Sequence, residues 1–120
     1  MSDTPASARH RGPCPVQAAV GVVGGKWAVP VVGRLARGEA RFGRLRSQVT
    51  AADGRAVSSK ALAAELDRLV ASGVVRRRER GAAVSYRLTA RGEALVPLLD
   101  ALGAWAEDDA PRPPTASGAA

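Results

Sequence analysis

Hydrophobic residues recur along this chain at helical spacing in five stretches and at strand spacing in one. The clearest helical pattern covers 58–72, where Leu62, Leu66, Leu69 and Val70 fall at i, i+4, i+7 and i+8 along one side. Ser58 or Ser59 suits its N-cap and Gly73 its C-terminal turn. The opposite face carries Lys60, Ala64, Arg68 and Ala71, with Ala61 and Asp67 at its margins, so it is basic at the start and small-sided beyond. Three helices are predicted before it. One spans 15–23, with Pro15 in the first turn and Gly24-Gly25 at the end. A second, over 26–37, aligns Trp27, Val31 and Leu35 and stops at Gly38, and a third, over 41–49, carries Phe42, Leu45 and Val49. Thr50 to Arg55 reads as a loop with a turn at Asp53-Gly54. The last helix, 90–107, follows Thr89 as N-cap and carries Leu95, Leu98, Leu99, Leu102, Trp105 and Ala106.

Between the last two helices the period changes to that of a strand. Val74 to Arg80 mixes β-formers with arginines, Gly81-Ala82-Ala83 supplies a turn, and Val84, Tyr86 and Leu88 then alternate with Ser85 and Arg87. A hairpin this short is not stable alone, so its apolar face must pack on the helices. Arg76, Arg77, Arg78 and Arg80 then form a positive rim near its tip. Residues 1–12 and 110–120 are rich in Ala, Ser, Pro, Thr and Gly without apolar periodicity, which predicts disordered tails around one domain at 13–109. The expected fold is mainly α with a small β-hairpin.

Composition removes several function classes. A chain of 120 residues with 46% hydrophobic content supports one core. Two Trp, one Tyr and one Phe are too few for the repeated base stacking of single-strand binders. No apolar run has transmembrane length, and residues 1–12 contain no hydrophobic signal-peptide segment, so a cytoplasmic protein without a membrane partner is expected. Cys14 is the single cysteine and His10 the single histidine, the latter in a predicted tail. Neither a Ser-His-Asp arrangement nor a Cys/His metal cluster can be assembled from one chain, so no enzyme, cofactor or metal site is expected. Gly24-Gly25-Lys26 fails as a phosphate loop, because Trp27 stands at the Ser/Thr position and Val20 at the leading glycine.

Charge sharpens the picture through its distribution. The formal net charge is +7, and 16 of the 18 basic residues are Arg, as GC-rich coding alone would produce. Yet residues 41–60 carry five basic and one acidic residue and residues 74–92 carry six and one, a net +9 on 39 positions, while the other 81 total −2. Two concentrated segments are the footprint of a surface that faces phosphates.

The order of elements gives that surface a shape. Three short helices, a helix with a small polar face, a basic hairpin and a final helix follow the layout of a winged helix-turn-helix. The 58–72 helix is then the reader in the major groove, and the 74–88 hairpin is a wing on the backbone or in the minor groove. The expected double-stranded DNA contacts are Arg41, Arg55, Ser58, Ser59, Lys60, Ala61, Ala64 and Arg68, with Arg76, Arg78, Arg80 and Arg87 from the wing. The final helix has more apolar surface than so small a core needs, so a homodimer through the terminal helices is expected, with Val16, Leu95, Leu98, Leu99, Leu102 and Trp105 at its interface. Any pocket for a small-molecule effector would lie between the dimer helix and the domain body.

Cys14-Pro15-Val16, Gly24-Gly25-Lys26-Trp27, Gly38, Arg41-Phe42, Leu45, Lys60-x-Leu62, Leu66, Leu69, Gly73-Val74-Val75, Tyr86-x-Leu88-Thr89, Gly92, Leu95, Pro97 and Trp105 form an ordered set. Over residues 13–109 this set resembles the HxlR-type winged-helix transcriptional regulators. The resemblance implies a bacterial cytoplasmic homodimer on a palindromic operator, and Cys14 matches a position that some members use as a thiol sensor. In this chain Pro30 stands where the family has an aliphatic residue, so the second helix must start near Trp27 or kink. The loop at 50–57 is longer than usual, Ser59 replaces a customary proline, and the wing is shorter and lacks prolines. A small dimer without a further domain acts most simply as a repressor, by occluding a promoter. The alternative is a basic nucleic-acid-binding or adaptor protein without operator specificity.

Overall fold

Gly73 adopts a φ of +79°, and the chain turns there from its main helix into its hairpin. The Val74 N–H donates to the Leu69 carbonyl and the Gly73 N–H to the Val70 carbonyl, each at 3.0 Å. Two crossed bonds of this kind close a helix when a residue free to adopt left-handed φ follows it.

The computed structural model describes residues 14–51 and 53–109. In chain order the elements are α1 (Pro15–Val23), α2 (Ala28–Leu35), β1 (Ala40–Arg41), α3 (Phe42–Gln48), α4 (Ser59–Ala71), β2 (Val75–Arg80), β3 (Ala83–Leu88) and α5 (Ala90–Asp109). This is the winged helix-turn-helix order, mainly helical with a small antiparallel sheet. The expected tails at 1–12 and 110–120, and His10 with them, lie outside the described residues.

The core forms where the periodic positions meet. Val31, Val32 and Leu35 of α2, Leu45 of α3, and Leu62, Leu66 and Leu69 of α4 are buried together with Val74, Val75, Tyr86 and Leu88 of the hairpin. Pro30 neither kinks α2 nor breaks a bond. It occupies the third helical position after Trp27, where an N–H has no intrahelical partner, and the first helical bond, Val31 N–H to Trp27 carbonyl at 3.0 Å, begins one residue later.

The sheet has the order β1-β3-β2 and contains a strand that the sequence pattern did not predict. β1 is two residues long, too short for any period, and pairs Ala40 with Tyr86 and Arg41 with Ser85. The wing's turn is also tighter than expected. Arg80 pairs with Ala83, leaving Gly81 and Ala82 as a two-residue loop, and Gly81 takes the φ of +61° that its first position requires.

The terminal helices meet this core only through half-buried side chains, Val22 among them on α1. α1 has no buried residue, and α5 leans on the body through half-buried Leu95, Val96 and Leu99. Thr89 anchors the start of α5. Its Oγ1 accepts from the Gly92 N–H at 3.0 Å and lies against the Gly73 and Val74 carbonyls, which ties α5 to the end of α4. An apolar groove of about 260 Å³, lined in part by Ala19, Val22, Leu95 and Leu98, separates α1 from α5. No single helix among the described residues is long and apolar enough to cross a membrane.

Candidate nucleic-acid interface

Ser58 caps α4: its Oγ accepts from the Ala61 N–H at 3.0 Å, and Ser59 is the first helical residue. Ser59, Lys60 and Ala64 are exposed beyond the cap, as expected, and Ala63, Asp67 and Ala71 share their surface. Ala63, which the pattern did not single out, and Asp67, expected at the margin, complete the i, i+3, i+7 row from Lys60. The buried side is Leu62, Glu65, Leu66 and Leu69, whereas Val70, assigned to the apolar stripe, is 37% exposed. The helix is therefore rotated toward Glu65 relative to the expected stripe.

This rotation sets two residues of the expected contact set apart from the others. Ala61 is half-buried against the core. Arg68 does not point outward beside Lys60 and Ala64 but turns along the body. Its guanidinium pairs with buried Glu65 and donates to the Gly21 and Val22 carbonyls at the end of α1, each at 2.9 Å. A carboxylate 7% exposed demands a cation, and Arg68 supplies it.

α3 begins directly after β1, with Arg41 as its N-cap residue. The loop to α4 is braced by its own backbone. Ala51 N–H donates to the Arg55 carbonyl at 2.9 Å, Gly54 N–H to the Ala51 carbonyl at 2.8 Å, and Arg55 N–H to Asp53 Oδ1 at 3.1 Å. Thr50 bridges to Ala56, while Val49, Ala51 and Val57 are buried. Arg55 is left exposed there, with Asp53 at 3.6 Å.

Sheet register sorts the wing's arginines. Arg76 opposes Arg87, Arg78 opposes Ser85, Arg80 opposes Ala83, and Arg41 opposes Ser85 from the other side. Directly opposed residues share a face, so Arg41, Arg76, Arg78, Arg80 and Arg87 all project from the outer face. Arg77 does not belong to the expected rim. It lies on the inner face opposite Tyr86 and pairs with Glu79. Arg80 alone of the four sits beside the turn, and Arg76, four residues back, is about 13 Å down the strand. Phe42 and Tyr86, with ring centroids 6.5 Å apart, hold the inner face against α3.

An acidic residue that sequence reasoning missed sits on the basic face. Glu39 accepts from the Ser85 hydroxyl and lies 3.7 Å from Arg78. The Ser85 hydroxyl, with Arg78, Arg80 and Arg87 nearby, holds its carboxyl below the usual carboxylate range. Nothing local signals this, because Glu39 is brought to the wing by β1.

The expected dimer residues divide into two groups. Val16 is 69% exposed, Leu98 61%, Leu102 57% and Trp105 65%, whereas Leu95 and Leu99 are half-buried against their own core. Val20, 58% exposed, joins the first group on α1. Cys14 is an exposed free thiol at the N-cap of α1.

Residues 22–113 match the model of the HxlR-like helix-turn-helix family. An uncharacterized HTH-type transcriptional regulator from Methanothermobacter thermautotrophicus is 33% identical over 95 residues, covering 77% of this chain and 69% of that protein. Among solved structures, the redox regulator HypR in its reduced form is 27% identical with a TM-score of 0.67, the match covering 80% of this chain and 93% of HypR. Quinone-bound YodB from B. subtilis is 28% identical with a TM-score of 0.68, over 79% of this chain and 99% of YodB. The chain belongs to the HxlR-like helix-turn-helix family of transcriptional regulators.

Proposed function

We propose that this protein is a sequence-specific double-stranded DNA-binding regulator that works in the cytoplasm as a homodimer on a palindromic operator, and that it represses by occupying a promoter. The observation that carries this reading is the outward face of α4. It is capped by Ser58, opened by exposed Lys60, and kept low by Ala63, Ala64 and Ala71, so the helix backbone can approach base edges and alanine methyls can meet thymine methyls. Arg41, Arg76, Arg78, Arg80 and Arg87 serve the phosphates beside it, and Arg55 reaches the backbone from the loop. Val16, Leu98, Leu102 and Trp105 meet their counterparts in a second copy, with Leu95 and Leu99 beneath them.

Cys14 is the residue through which thiol chemistry would act on this dimer. Its exposure at the start of α1 and the likeness to HypR, described as a redox regulator, favour that role. Alkylation that leaves operator affinity unchanged would remove it.

Footprinting on the DNA upstream of the protein's own coding sequence tests the main reading. A discrete protected site, bound far more tightly than random duplex and lost in Lys60→Ala, is expected. Equal affinity for both duplexes would instead support the basic module without operator specificity.

A further inference from the structure

α1 carries part of the proposed dimer surface, yet no side chain of it is fully buried, and half-buried Val22 is what it packs against the core. One polar grip joins its end to the reading helix. The last carbonyls of a helix have no intrahelical partner, and two of them in α1, those of Gly21 and Val22, accept from Nη1 and Nη2 of Arg68 at 2.9 Å each. A cation also suits a helix C-terminus, where the backbone dipoles leave partial negative charge.

Glu65 holds Arg68 in that position from below. Its carboxylate is buried, lies one turn earlier on α4, and pairs with Nη2 of Arg68. Gly25 leaves the space for the pair. A Cβ there would stand 2.7 Å from Glu65 Oε1 and 2.8 Å from Arg68 Nη2, so any side chain would displace their ends. The second glycine of Gly24-Gly25-Lys26-Trp27 thus has a physical reason unrelated to phosphate binding.

We propose that Arg68, held by Glu65, is a positioning residue for DNA reading: it fixes α4 against α1, and through α1 the spacing of the two reading helices in the dimer. The dimeric part of this inference rests on the proposed function above. Arg68 touches no base in this role. A lysine could not replace it, because one ammonium lacks the planar fork that reaches a carboxylate and two carbonyls together.

Two variants test this by different routes. Arg68→Lys keeps the charge but loses the fork, and Gly25→Ala keeps both residues but pushes their ends aside. The probes are duplexes bearing one or both half-sites of the motif that wild-type protein selects from a random pool. Both variants should keep wild-type affinity for one half-site and for random duplex. Each should lose about tenfold on the two-half-site duplex, a typical coupling between sites, and should recover part of it when the half-site spacing changes by one base pair. Equal loss on every duplex, with a shallower salt dependence, would overturn the proposal in favour of direct phosphate contact by Arg68.

Amide hydrogen exchange of the DNA-free protein separates this test from the dimeric regulator reading. The α1 amides should exchange faster in both variants than in wild type. Unchanged α1 exchange would overturn the grip itself, whether or not the wild-type protein selects an operator.

Discussion

Gly92 stands so near Val74 that a Cβ on it would lie 2.2 Å from the Val74 carbonyl oxygen and 3.2 Å from a methyl of Leu88. The first turn of α5 therefore presses on the segment that joins α4 to β2. Gly92→Ala should destabilise the domain by about 1–3 kcal/mol, since backbone must move. Gly33→Ala, in α2 with open space around it, should stabilise by roughly 0.5–1 kcal/mol. Thermal unfolding followed by circular dichroism checks this opposition of sign.

The cap of α4 gives a second prediction. Ser58→Ala removes the oxygen that accepts the Ala61 N–H and should destabilise by about 1 kcal/mol, whereas Ser59→Ala should stay within roughly 0.5 kcal/mol. Chemical denaturation distinguishes the two neighbours.

Much of this frame is legible in the residues because its rules are local. The caps at Ser58 and Thr89, the turn at Gly73 and the alternation of Val84, Tyr86 and Leu88 follow from spacing of a few positions. The grip of Arg68 on α1 is not legible, since the Gly21 and Val22 carbonyls lie more than forty residues away and a helical wheel places Arg68 opposite the leucines. Glu39 is hidden for a similar reason: a two-residue strand carries it to the wing. The turn at Gly81-Ala82 shifts by one residue because Ala83 completes a ladder pair with Arg80.

The wing's charge balance predicts how it meets DNA. Arg80→Ala and Arg78→Ala should each weaken binding to operator and random duplex alike and lower the salt slope by about one, as loss of a phosphate contact does. Glu39→Gln should strengthen binding to both, because it frees Arg78 from a carboxylate 3.7 Å away. Titrations at several salt concentrations measure all three, and a loss confined to one operator would show base reading by the wing.

Glu39 also sets a pH dependence. Its folded-state pKa is below the unfolded value, about 4.3 for Glu, so its contribution to stability is present above that value and fades as pH falls through the folded one. Thermal unfolding of wild type and Glu39→Gln should differ at neutral pH and converge in acid. The carboxyl resonance of Glu39 should titrate below the ordinary carboxylate range.

Trp105 is the largest exposed anchor on α5, and interface aromatics of this kind are each worth about 2 kcal/mol or more. Trp105→Ala removes the anchor from both copies, about 4 kcal/mol in all, and should raise the dimer dissociation constant by roughly 1,000-fold. Sedimentation equilibrium reads this, with circular dichroism expected to remain that of wild type.

Selection of bound duplexes from a random pool at near-physiological salt tests sequence-specific reading most directly. A single enriched motif of two inverted half-sites, about one helical turn or a multiple of it apart, is the predicted result. A pool that stays random while bound fraction rises only with duplex length would contradict it, leaving a basic surface that holds phosphates and reads no sequence.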